Sequence, residues 1–122
     1  MKATTFQRTG IVLLLIGIVY GMHMGISQDF TYAPAHAHLN LVGGVLMFVA
    51  GLFYASRPDI PARAVTVHYV LHAPGAVLLT AGIYGSVSGR TWAEPVVGTG
   101  AVLVLLAMLV FAFNVFRSER AR

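Results

Sequence analysis

Four apolar runs, roughly residues 9–26, 35–56, 63–85 and 95–116, take up most of this chain and decide what it can fold into. Each is close to the ~20 residues a helix needs to cross a hydrocarbon core about 30 Å thick. Polar or proline-bearing breaks separate them: the stretch 27–33 ahead of Pro34, then Arg57-Pro58-Asp59-Ile60-Pro61, then the region around Arg90. In lipid every backbone N–H and C=O must be satisfied within the protein, so runs of this length are helices. The sequence therefore predicts an all-α integral membrane protein, a single membrane domain over 1–122, built as an up-down bundle of four transmembrane helices in a lipid bilayer. With 57% hydrophobic and only 10% charged residues, the balance of a water-soluble domain is missing. Lys2 and Arg8 precede the first run as in a signal peptide. Met22-His23-Met24 is not a small-residue cleavage site, however, and the run is read as a retained span.

Orientation follows from the basic residues, which are kept preferentially on the cytoplasmic side. In a four-span layout Lys2, Arg8, Arg57, Arg63, Arg117, Arg120 and Arg122 fall on one side and Arg90 alone on the other. Both termini are expected to be cytoplasmic, in a bacterial-type cytoplasmic (inner) membrane. Basic residues placed in this way orient a membrane protein and do not argue for nucleic acid as a partner. No charged residue lies inside the runs, which argues against an ion pump built on buried carboxylates. The chain has no cysteine, so any metal site must use other ligands.

Helices in lipid gain little from burying apolar surface and associate where small residues let their backbones approach. Gly17, Gly21 and Gly25 form such a stripe on the first helix, two overlapping GxxxG units, and Gly43, Gly44 and Gly51 offer a second small surface. The stripe serves packing within the monomer or contact between subunits. Four helices enclose little space for a large cofactor, which points toward a homo-oligomer.

Histidine carries the chemistry. Of five, His23, His38, His68 and His72 lie in or near apolar spans, where an imidazole needs a polar partner or a ligand. Neutral imidazole is also a common ligand of metals and of haem iron. His36 and His38 open the second helix, about 200° apart around its axis, with His36 directed toward Asn40 and Gly43. His23 sits at a similar depth on the first helix between Met22 and Met24, whose thioethers suit Cu(I). His68 and His72 are one turn apart and share a face of the third helix with Ala76 and Thr80. That pair either binds a metal or cofactor or bonds between helices. His72 lies roughly 10 Å from the cytoplasmic start of its span, and His38 lies near the opposite face, so the two groups do not serve one iron. Tyr20, Tyr54, Tyr69, Tyr84 and Trp92 fall near span ends, as interfacial anchors do.

The run His36-Ala37-His38-Leu39-Asn40-Leu41-Val42-Gly43 resembles the second transmembrane helix of subunit I in the haem-copper oxidase superfamily, which includes nitric oxide reductases. The resemblance covers mainly residues 35–54. It implies that His38 ligates a haem and that the chain corresponds to one four-helix arc, a third of a twelve-helix assembly that a homotrimer would complete. The sequence has no His-Pro-Glu-Val motif, no adjacent His-His pair and no proton-channel carboxylate. What the resemblance implies is thus haem binding without oxygen reduction. The expected function is a haem-binding membrane protein for electron transfer or haem-linked sensing, with enzymatic activity left open in the form of residual oxidoreductase chemistry through the bound haem. Haem b is the expected cofactor, with His38 and His23 as leading ligands and His68 and His72 as further cofactor-binding candidates. The alternatives are a structural or accessory membrane protein whose histidines bridge helices, and a copper or zinc protein using His23, His36 and His38. A redox partner or quinol is left open.

Overall fold

The computed structural model describes residues 2–120, the side chains of 118–120 apart. The basic residues Arg120 and Arg122, which count toward the orientation, have side chains outside the described residues. Among the described residues four helices make up the fold: α1 (Ala3–Ser27), α2 (Ala33–Ser56), α3 (Ala62–Val87) and α4 (Ala93–Arg120). All four are long and apolar enough to cross a membrane. Among the described residues there is no strand.

The helices overrun the apolar runs that announced them. α1 begins at Ala3 rather than near residue 9, because the ladder extends through Thr4, Thr5, Gln7 and Arg8, which are polar but compatible with a helix. α1 stops where Gln28 turns left-handed, with φ 56°, and Gly89 does the same after α3, with φ 71°. Pro74 lies within an unbroken α3.

The helices pair as two hairpins, α1 with α2 and α3 with α4, and both pairs meet at glycines. A Cβ on Gly10 would lie 2.8 Å from the Phe48 amide nitrogen and 2.9 Å from the Gly44 carbonyl oxygen. A Cβ on Gly82 would lie 2.6 Å from the Val97 nitrogen. Of the α1 stripe, Gly17 faces Asn40 and Gly21 faces the His36 ring, both within the chain, whereas Gly25 has nothing within 4 Å. The α3–α4 glycines Gly75, Gly82 and Gly100, which meet α4 or α3 backbone, form a second seam that the glycine spacing of α1 and α2 does not announce.

One departure from regular helix frees a carbonyl inside the bundle. The segment Leu39–Val45 of α2 is π-helical. In an α ladder the Leu46 N–H would bond to Val42 oxygen; here it bonds to Leu41 oxygen, five residues back. Val42 oxygen is thereby released from the ladder. Gly43 and Gly44, buried in this wider turn, lie under Leu13 and Leu14 of α1.

The two hairpins close on each other at the end that carries the termini. Phe6, Met47, Ala50, Tyr54, Ile60 and Val65 form the buried cluster there, and Thr9 Oγ1 bonds the Tyr69 hydroxyl at 2.7 Å between α1 and α3. Toward the other end α2 stays against α3, and a groove is left between α1, α2 and α3. Tyr32, just before α2, is stacked on Tyr84 with ring centroids 4.2 Å apart and bonds Ser88 at 3.0 Å, pinning the far edge of the groove.

Candidate functional site

Two features separate along the bundle: a buried polar chain toward the termini and an apolar groove toward the other end. The chain begins on α4. Asn114, 1% exposed within a long apolar stretch, donates Nδ2–H to the Tyr54 hydroxyl oxygen at 2.9 Å. Tyr54 and His68 Nδ1 are 2.8 Å apart, His68 Nε2 and His72 Nδ1 3.0 Å, and His72 Nε2 and the Val42 carbonyl oxygen 2.8 Å. Both imidazoles are fully buried.

The direction of every bond follows from its last member. A carbonyl oxygen only accepts, so His72 must carry its proton on Nε2. Its Nδ1 then accepts from His68 Nε2–H, and His68 Nδ1 accepts from the Tyr54 O–H. The phenol oxygen is left to accept from the Asn114 amide. All four bonds run one way, from α4 through α2 and α3 back to the π segment of α2, with both rings neutral and in the same tautomer. Carbonyls released by a π turn are costly in an apolar interior unless something donates to them, and His72 does so.

His68 and His72 thus bridge helices. Each of their four ring nitrogens takes part in a hydrogen bond. Tyr54, expected as an interfacial anchor, is instead 4% exposed and joins Asn114 to His68. Reading tyrosines by distance from span ends missed it, and Asn114 was missed altogether. A lone asparagine in an otherwise apolar span was the available signal.

The remaining histidines lie toward the groove end. His38 donates Nδ1–H to the Pro34 carbonyl at 2.7 Å, one turn back on its own helix, which fixes the tautomer and leaves Nε2 with its lone pair. His23 is exposed, its ring 6.1 Å from that of Tyr20. His36 is different. Its ring packs over Gly21, where a Cβ would come within 2.8 Å of Cε1, and its Nδ1 is buried without a partner. Asn40 Oδ1, over Gly17, is buried and unpartnered as well, as is Thr80 Oγ1.

His36 and Thr80 both line a groove between α1, α2 and α3, with a volume of about 730 Å³. Tyr20, Tyr84 and Trp92 supply aromatic walls, and the rest of the lining is aliphatic. The volume falls in the ~300–1,000 Å³ range of small-molecule and cofactor sites. Among the described residues, no group of three or more His, Cys, Asp or Glu side chains stands close enough to hold a metal ion by itself.

An all-helical bundle of four membrane-length helices, with a one-way polar chain at one end and an apolar groove at the other, is thus the class these observations define. The chain matches no family model, and comparison with curated proteins and with solved structures finds no match. The resemblance to haem-copper oxidase subunit I therefore rests on the run 36–43 and the four spans alone.

Proposed function

We propose that this chain is a multi-pass membrane protein that holds a b-type haem in the groove beside His36, for electron transfer or haem-linked sensing. The observation that carries the reading is His36 itself, an imidazole with a buried, unpartnered nitrogen on the wall of a 730 Å³ apolar groove. A planar, largely apolar cofactor suits such walls, and an imidazole is the ligand its iron requires. His38 supports the same reading, since its Pro34 bond leaves Nε2 in the ligating tautomer. Without cysteine, thioether attachment is unavailable and the group would be held non-covalently. When bound, haem would supply one-electron chemistry where two imidazoles are engaged and gas binding where one is. The protein's part is to exclude water and present the imidazole.

Basic residues gathered on the termini side support a cytoplasmic (inner) membrane location with both ends in the cytoplasm, which sets the groove in the outer half. A homotrimer fits the resemblance, with His23 or a second copy offering a further imidazole. The test is absorption of the protein purified from haem-replete cells in mild detergent. A Soret band lost in His36→Ala supports the groove ligand; loss in His38→Ala alone moves the ligand to His38. A stable, colourless preparation overturns the haem reading.

A further inference from the structure

We propose that His72 is a proton-holding site inside the bundle, loaded from the termini side through Tyr54 and His68, with Asn114 as the switch that lets the chain reverse. The proposal rests on the polar chain alone and is independent of what the groove binds.

The ends of the chain differ in what they allow. At one end Val42 oxygen accepts from His72 Nε2–H whether the ring is neutral or doubly protonated. His72 can therefore carry two protons with both N–H groups satisfied and one of them held by a carbonyl: Nε2–H on Val42 oxygen, and Nδ1–H turned back onto His68 Nε2. At the other end Asn114 is a primary amide, able to present either NH2 or oxygen. It now presents Nδ2 to Tyr54, and its Oδ1 is buried without a partner.

These two properties define a second state. One proton is added to the Tyr54 oxygen as the phenol's own proton passes to His68 Nδ1 and the His68 Nε2 proton passes to His72 Nδ1. The product is a neutral phenol, a neutral His68 carrying its proton on Nδ1, and a His72 imidazolium; one proton has entered and the net charge has risen by one. The His68 Nδ1–H now donates to the Tyr54 oxygen, and the new Tyr54 O–H needs an acceptor. Rotation of the Asn114 amide supplies it, bringing Oδ1 to the phenol. Three links reverse and the last does not. Holding the proton on His68 instead needs the same Asn114 rotation but rests one of its two N–H groups on a phenol oxygen, a weaker acceptor than the Val42 carbonyl that His72 keeps.

The groups meeting the two rings are neutral. They are Tyr54 and the Val42 carbonyl from α2, Asn114 of α4 through the phenol, and Phe6 of α1 and Phe111 of α4 against the His68 ring. Among the described residues no carboxylate is there to fix the charge, so the proton is held by hydrogen bonds and is released when the chain reverts. Tyr54 lies two residues before the end of α2 at Ser56, which places the loading end toward the surface that carries the termini.

The test is ¹⁵N-histidine NMR of the full-length protein in nanodiscs, titrated from roughly pH 8 to 4, where imidazoles charge. The neutral protein should show both rings protonated on Nε2. On acidification the first imidazolium should appear at His72, and His68 should change from the Nε2–H to the Nδ1–H tautomer over the same pH interval. In Asn114→Leu and in Tyr54→Phe the reversed chain lacks one acceptor, and charging His72 should need about tenfold more acid. Charging of His68 first, a His68 tautomer that stays on Nε2 while His72 charges, or no charging of either ring before unfolding each overturns the proposal. The wild-type tautomers decide the matter even if a variant fails to fold.

Discussion

His72 Nε2 lies 2.8 Å from the carbonyl oxygen of Val42, and the two belong to different hairpins. The bond and the π turn of α2 are one event: Leu46 N–H passes over Val42 oxygen to reach Leu41, and His72 takes its place. His72→Leu would leave that oxygen without its donor and His68 Nε2–H without its acceptor. The expected loss is about 1–3 kcal/mol, since hydrogen bonds between membrane helices are worth less than the full cost of an orphaned group. An alternative open to the variant is return of Leu46 N–H to Val42 oxygen. That return would wind the π turn back to α and rotate the start of α2 by about 100°. Reversible unfolding in mixed detergent micelles reads the first effect, and amide exchange over 39–46 reads the second. His72→Gln keeps a donor and should lose less.

The four helices were legible in the sequence because their length and apolarity are sufficient to specify them, and the glycine stripe of α1 indicated a packing face. His36 and Asn40 share the side of α2 that meets that stripe, as their spacing of four implies. The π turn was not legible. Residues 39–45 read as ordinary helix, because the extra residue per turn is stabilised by His72, a partner thirty residues away. Tyr54 was misread for the same reason: position along a span says how deep a residue lies, but not whether its hydroxyl meets lipid headgroups or a buried imidazole. The groove had no local signal, since its walls come from three helices brought together only by how the hairpins pack.

The α1 stripe supplies its own control. A Cβ on Gly17 would overlap the Asn40 amide, and one on Gly21 would press into the His36 ring, whereas one on Gly25 meets nothing within 4 Å. Gly17→Ala and Gly21→Ala should each destabilise the α1–α2 hairpin by about 1–3 kcal/mol, because a buried polar side chain must move. Gly25→Ala should be neutral or stabilising by up to about 1 kcal/mol through helix propensity. Unfolding of the three variants side by side separates helix contact within the chain from contact between copies. If Gly25→Ala proved the most damaging, the stripe would serve an interface between protomers.

In the loop after α1, Asp29 accepts from both the hydroxyl and the backbone N–H of Thr31, and these bonds hold its carboxyl below the usual carboxylate range. A depressed folded-state value means that the loop's extra stability is present above the ordinary carboxylate range. It is lost as pH falls through the lowered value. Thr31→Val removes the hydroxyl donor and should raise the Asp29 midpoint toward that of a free carboxylate. Carboxyl ¹³C shifts of the protein in nanodiscs would follow it. Asp59, lowered in the same direction by Arg57 across the α2–α3 turn, provides an internal reference that Thr31→Val should leave unmoved.

The groove makes a prediction that does not touch any imidazole. Ala81 lines it from α3 and is exposed, so a larger side chain there projects into the groove and not into the packed seam with α4. Ala81→Phe should lower haem occupancy several-fold, because it takes volume from an apolar site without altering His36 or His38. The half toward the termini, with its Tyr54–His68–His72 bonds, lies beyond its reach, so unfolding should shift by no more than about 0.5 kcal/mol. Haem-to-protein stoichiometry, measured as a pyridine complex alongside unfolding, checks both halves of the statement. Full occupancy in Ala81→Phe, with haem still lost in His38→Ala, would move the cofactor out of the groove and onto the outer face of α2.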